Sequence, residues 1–203
     1  MAISVSMVKE LRERSGAGMM DCKKALQVAN GDLETAIEHL RKSGIAKAAK
    51  KAGRTAADGA IVVHDSQTGT ALVEINCETD FVANDKNFID FSSSVAEIIL
   101  EHKPLDVSKL KTLTTQNGTI EELTNELSAK VGEKIDVRRF VIVDKTKGFV
   151  GTYLHGARIG VIVVIDSDNE TVVKDVAMHV AATNPIAVDG SGIAPELLKN
   201  EKE

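Results

Sequence analysis

Apolar residues between Ser4 and Lys42 fall into three groups: Val5, Val8 and Leu11 at helical spacing, then Met20, Ala25 and Leu26, then the stripe Leu33, Ile37 and Leu40. Each group reads as a short helix. Gly16-Ala17-Gly18 separates the first helix from the second. Asn30-Gly31 closes the second, since glycine accepts the left-handed conformation of a C-terminal cap. Asp32 is a natural N-cap for the third. Helices this short hold only by packing together, so a compact three-helix module is expected. Met19 and Met20 are adjacent and cannot both face its core. A methionine left outside makes an adaptable contact surface.

The pattern then changes. Residues 43 to 58 are rich in alanine and positive charge, as in Ala46-Lys47-Ala48-Ala49-Lys50-Lys51-Ala52-Gly53-Arg54, and carry no broad apolar stripe. Helix-favouring residues without a face to bury read as an exposed linker, helical at least in part. From Ala60 the apolar runs are those of strands. Ala60–His64 and Thr70–Ile75 flank a turn at Asp65-Ser66-Gln67-Thr68-Gly69, which predicts a hairpin. A helix follows near residues 87 to 102, with Phe88, Phe91, Val95, Ile98 and Ile99 on its apolar face. A second covers about 119 to 131 with Ile120, Leu123, Leu127 and Val131, and Gly132 ends it. Ile135–Val143 is a further strand.

The scheme then begins again. Gly148–Leu154 and Ile159–Ile165 flank His155-Gly156-Ala157-Arg158, and a helix follows with Val172, Val173, Val176, Ala177 and Val180. Two hairpin-plus-helix units imply an internal duplication. The first continues into a second helix and a closing strand. The second reaches only a short segment at Pro195–Lys199 before Glu203. The expected fold is α+β. It has a helical module and basic linker over residues 1–54, a first α+β subdomain over 55–145, and an incomplete second subdomain with the start of a helical arm over 146–203.

Composition narrows the function. A net charge of -5 argues against a generic nucleic-acid binder. No apolar run approaches transmembrane length, and Met1–Ser6 lacks the features of a secretory signal. The chain is therefore expected in the cytoplasm. Cys22 and Cys77 stand apart, with no metal-ligand spacing, and read as buried free thiols. Gly16-Ala17-Gly18 is no phosphate loop, since no strand precedes it and no Gly-Lys-Ser/Thr follows. His155 and His179 have no acidic or thiol neighbours at ligand spacing. Neither a metal nor a cofactor is implied.

The stretch richest in potential is Glu78-Thr79-Asp80-Phe81-Val82, directly after the strand Ala71–Cys77. Aromatics are only 3% of the chain, and one of them sits here beside a carboxylate, at a strand-to-helix connection. Such connections on a rigid scaffold often carry function. A Phe and an Asp side by side can enter an apolar crevice and perturb a charged site together. Position alone favours Phe81 folding back onto its own core.

Three motifs in order alter that balance. They are Val8-Lys9-Glu10-Leu11-Arg12-Glu13-Arg14-Ser15-Gly16-Ala17-Gly18-Met19-Met20-Asp21-Cys22-Lys23-Lys24-Ala25-Leu26, then Thr79-Asp80-Phe81-Val82, then His155-Gly156-Ala157-Arg158-Ile159-Gly160. Their order and spacing resemble bacterial translation elongation factor Ts, from about residue 2 to about residue 195. The resemblance implies a guanine-nucleotide exchange factor for the GTPase elongation factor Tu, acting by protein–protein binding and not as an enzyme. It implies a ubiquitin-associated-type fold for the N-terminal module, which docks on the GTPase domain through Arg12, Met19, Met20 and Lys23. Phe81 would enter a crevice between helices of that domain, and Asp80 would help disturb the elements holding Mg²⁺. Thr79 and Val82 would hold the loop's shape, while Val131 and His155 are further partner contacts. It also implies that the chain is truncated at its C-terminal end relative to full-length members, so that the second unit is less stable or completed by another chain. A homodimer is left open; neither a membrane nor a specific nucleic acid is expected as a partner.

Two other classes compete. An RNA- or ribosome-associated protein is suggested by the basic linker and by Lys147-Gly148-Phe149, but the positions after Phe149 are not those that base stacking needs. A small hydrolase using His155 or His179 lacks a paired nucleophile and any enzyme signature.

Overall fold

The computed structural model describes residues 3–166 and 169–200 of the chain. It is a mixed helix and sheet structure that falls into two compact units. The first takes in the chain up to His64 together with Ala71–Ile142, and the second Asp65–Thr70 together with residues from Val143 onward.

The first unit opens with three helices, α1 (Val5–Ser15), α2 (Met19–Val28) and α3 (Leu33–Lys51). Side chains cap two of them: Ser4 Oγ accepts from Met7 N at 3.3 Å, and Asp32 Oδ1 from Thr35 N at 2.7 Å. Their shared core is Val8, Leu11, Cys22, Ala25, Leu26, Ala29 and Ala36. Two expected members are missing. Val5 and Met20 are exposed, because the buried stripe of α2 runs Cys22, Ala25, Leu26 and Ala29 and leaves Met20 outside it. The basic alanine-rich stretch is not a separate segment but the second half of α3. Most of its residues are exposed, yet Gly44, at its start, is buried.

A three-stranded sheet follows, ordered β1 (Asp58–Asp65), β2 (Gly69–Cys77) and β5 (Asp136–Asp144), with β2 in the middle. Gly59 has φ +142°, and a side chain there would collide with the Ile75 carbonyl, so only glycine fits this approach to β2. Between β2 and β5 lie α4 (Asp80–Ala83), α5 (Lys86–His102), α6 (Val107–Thr112), the two-residue strands β3 (Thr114–Thr115) and β4 (Gly118–Thr119), and α7 (Ile120–Val131). α5 and α7 lie where their apolar periodicity predicts. Thr119 and Glu122 form a reciprocal capping box at the start of α7. The core combines Ala71, Val73 and Ile75 of β2, Phe88, Val95 and Ile99 of α5, Leu110, Ile120, Leu127 and Val137. α3 packs along α7, where Arg41 Nη1 donates to Glu122 Oε1 at 2.6 Å and Lys51 Nζ to the Ser128 carbonyl at 2.7 Å.

The second unit holds the hairpin of β6 (Phe149–His155) and β7 (Ile159–Ile165), α8 (Glu170–Thr183), and the short α9 (Pro195–Asn200). The strands are antiparallel, from Phe149 opposite Ile165 to His155 opposite Ile159. α8 lies across the hairpin with Val173 and Ala177 buried. Val172, expected on the buried stripe, is exposed instead, since Val173 and Ala177 set the inward face four residues apart.

Candidate functional site

β2 carries the most deeply buried residues of the sheet, with Ala71, Val73, Ile75 and Cys77 all without solvent exposure. Immediately after it the chain surfaces. Thr79 caps α4, its Oγ1 accepting from Val82 N at 3.5 Å. In one helical turn successive side chains point about 100° apart, so neighbours face different ways. Val82 turns into the core and is buried, whereas Phe81 is 85% exposed. Phe81 therefore does not fold back onto its own core. Asp80 is exposed beside it, and among the described residues no cation pairs with it.

The approach to this tip is held by a set of hydrogen bonds. The Glu133 carboxylate accepts from Glu78 N and Thr79 N at 3.0 Å each, and from Thr79 Oγ1 at 2.6 Å. Glu78 answers in the opposite direction: its Oε1 accepts from Lys134 N at 2.6 Å and pairs with Arg54 Nη1 at 3.3 Å. The Lys134 amide, with help from Arg54, holds the Glu78 carboxyl below the usual glutamate range. Lys134 Nζ also donates to the Arg54 carbonyl at 3.1 Å. Cys77 Sγ donates to the Thr79 carbonyl at 3.1 Å. Burial, reinforced by the charges of Glu133 and Asp58, pushes that thiol up to about 11. Both cysteines are buried and free, as their isolation suggests.

The other residues singled out in the sequence fall in three places. Arg12 lies exposed on α1, and Met19, Met20 and Lys23 on α2. Both methionines are outside the core, 52% and 63% exposed, and Lys23 shares their face of the helix. Val131 is half-buried in the last turn of α7 and packs on the core, two residues before Glu133. His155 belongs to the second unit, exposed at the end of β6. Its ring stacks on Tyr153 with centroids 6.3 Å apart, and the Tyr153 hydroxyl lies 3.2 Å from Nδ1. His179 is exposed on α8. Among the described residues no three His, Cys, Asp or Glu side chains gather as metal ligands, and no helix is long and apolar enough to cross a membrane.

Sequence reasoning missed Glu133, Lys134 and Arg54. Their partners lie more than fifty residues away for the first two, so no local pattern marks them. The one available signal is that Glu133 directly follows Gly132, the left-handed cap that turns the chain off α7.

Comparison with known proteins places the chain in a family. The family model described as Elongation factor TS matches residues 78–203. An elongation factor Ts of Thioalkalivibrio sulfidiphilus is 52% identical over 206 residues, covering 100% of this chain and 70% of that protein. Those of Idiomarina loihiensis and Psychrobacter arcticus are 50% and 48% identical, covering 100% and 99% of this chain and 69% and 68% of theirs. The chain thus spans roughly seven-tenths of the length of these relatives. It is one of the factors of protein biosynthesis that serve translation elongation. Within that class it belongs to the elongation factor Ts family.

Proposed function

We propose that the chain is a guanine-nucleotide exchange factor for the GTPase elongation factor Tu, releasing GDP by inserting the Asp80–Phe81 loop near the Mg²⁺ and nucleotide site. The observation that carries this reading is Phe81, an aromatic side chain 85% exposed on a loop whose neighbours are buried or hydrogen-bonded. Burying that ring in a partner's crevice is worth about 1.5–3 kcal/mol. Coupling free energies between linked sites run about 1–3 kcal/mol, so the ring alone is of the right size. The exposed Asp80 carboxylate would add an unfavourable charge beside the elements that hold the cation. Mg²⁺ offsets phosphate charge, so weakening its site weakens nucleotide binding.

The protein acts through binding and breaks no covalent bond. The N-terminal helices form a ubiquitin-associated-type anchor, with Arg12, Met19, Met20 and Lys23 as its contacts; the exposure of both methionines supports this. Val131 and His155 add contacts from the end of α7 and the turn after β6. Linkage is reciprocal: the factor by which this chain weakens GDP binding is the factor by which GDP weakens the complex. The exchange therefore needs no preference for GTP, and nucleotide concentrations set its direction. The place of action is the cytoplasm.

Release of fluorescent GDP from elongation factor Tu tests the proposal. The chain should accelerate release, and Phe81→Ala and Asp80→Ala should each reduce that acceleration by about tenfold or more, as loss of an interface hot spot would. Acceleration undiminished in Phe81→Ala would refute the insertion mechanism.

A further inference from the structure

The exposed tip of the first unit depends on a residue two positions beyond the end of α7. The backbone amides of Glu78 and Thr79 point at one carboxylate, Glu133, and the Thr79 hydroxyl joins them. The reverse bond, from Lys134 N to Glu78 Oε1, closes a reciprocal pair of carboxylate-to-backbone contacts between two segments far apart in sequence. Ser128 Oγ donates to the Glu133 carbonyl at 2.6 Å, so the Glu133 backbone is fixed from behind. Lys51 Nζ reaches the Ser128 carbonyl, which links the end of α3 to the same turn.

We propose that Glu133 is a positioning residue for nucleotide exchange: its carboxylate latches Glu78 and Thr79 so that α4 presents Asp80 and Phe81 outward. This rests on the exchange reading above and deepens it. Two observations support it. First, Thr79 Oγ1 serves two purposes, accepting from Val82 N as the cap of α4 while donating to Glu133. Glu133 thereby sets the orientation of the hydroxyl that starts the helix. Second, a carboxylate receiving three donors is a charge-assisted arrangement, stronger than the neutral bonds of an ordinary turn. Without it the segment between Cys77 and Val82 keeps the bonds of Glu78 to Lys134 N and Arg54, the Cys77 thiol contact and the cap of α4, but nothing receives the amides of Glu78 and Thr79. The tip would then sample several orientations, and only the fraction in the competent one would engage the partner. Val131 lies in the same turn as Glu133, so a partner seated on the end of α7 also bears on the latch.

The test joins amide hydrogen exchange with GDP release. In the unaltered chain the Glu78 and Thr79 amides should exchange slowly. Free-amide rates there would overturn the latch without any variant. In Glu133→Gln, which keeps the size but replaces one acceptor oxygen with an NH2 donor and removes the negative charge, those two amides should exchange about tenfold faster, while those of β2 stay as slow as before. At subsaturating concentration stimulated GDP release should fall by about tenfold, because the fraction of tips in the competent orientation sets the apparent affinity. In the Phe81→Ala background the same change should have little further effect, because the latch acts through Phe81. Faster local exchange with undiminished GDP release overturns the positioning role, as does an equal loss in both backgrounds. If Phe81→Ala alone leaves release unchanged, the exchange mechanism fails, and the hydrogen-exchange result still decides whether Glu133 latches the loop.

Discussion

A phenylalanine left in water forgoes about 1.5–3 kcal/mol that burial would give it. Phe81 does so while Phe88, on the next helix, is completely buried. The two should respond oppositely to truncation. Phe81→Ala should change the unfolding free energy by no more than about 0.5 kcal/mol, whereas Phe88→Ala should cost about 3–5 kcal/mol; urea denaturation separates them. The hydrophobic pattern does not distinguish these two rings, since both lie beside apolar neighbours. For Phe81 it was the family motif that pointed outward, and the geometry of a single helical turn explains why Val82 takes the core position. Cys77 carries a pH signature. Its thiol ionises near 9.0 in an unfolded chain and at about 11 in the fold. Below pH 9 both states hold the proton and the contribution is constant. As pH rises from about 9 to about 11 the unfolded state releases its proton first, so stability should fall through that window. Unfolding midpoints measured across it should show the decline, and Cys77→Ala should remove this part of the slope.

Helices and strands long enough to show a period were legible: the module helices, both hairpins, α5, α7 and α8 lie close to where their apolar spacing places them. The elements that escaped are α4, α6 and the β3–β4 pair, each too short for a stripe to repeat. The basic alanines are helical, as their propensity suggests, but their continuity with α3 escaped for a different reason. What it buries is one small residue: a methyl group added to Gly44 would sit 3.5 Å from the Ala129 Cβ on α7, which is ordinary contact. Gly44→Ala should therefore raise stability, by about 0.5–1 kcal/mol from helix propensity, measured by denaturation. The opposite holds at Gly151. A methyl group there would run into the Val173 side chain of α8, so Gly151→Ala should destabilise the second unit by about 1–3 kcal/mol.

At the scale of the molecule the two units are unequally furnished. Among the described residues the first buries more than twenty apolar side chains in two clusters, while in the second only Val173 and Ala177 are fully buried. Local stability follows buried apolar contact. Amides of β6 and β7 should therefore exchange faster than those of β2, by at least about tenfold, in a native-state hydrogen-exchange experiment. Equal protection would show that the second unit draws stability from a source other than its own core. The second unit holds an antiparallel hairpin followed by a helix, as the sequence pattern predicts, with a much smaller core of its own.

The central place of β2 has a consequence for synthesis. Its hairpin partner β1 precedes it, but its other neighbour, β5, begins only at Asp136. A ribosome delivers residues at about 5–20 per second, so β2 waits several seconds with one edge unpaired. The three N-terminal helices pack through contacts close in sequence and can fold during that interval, as local contacts form fastest. The strand that leads into Phe81 thus emerges well before the neighbour that encloses its second edge. During that wait its open edge is the nascent chain's point of exposure to wrong pairing.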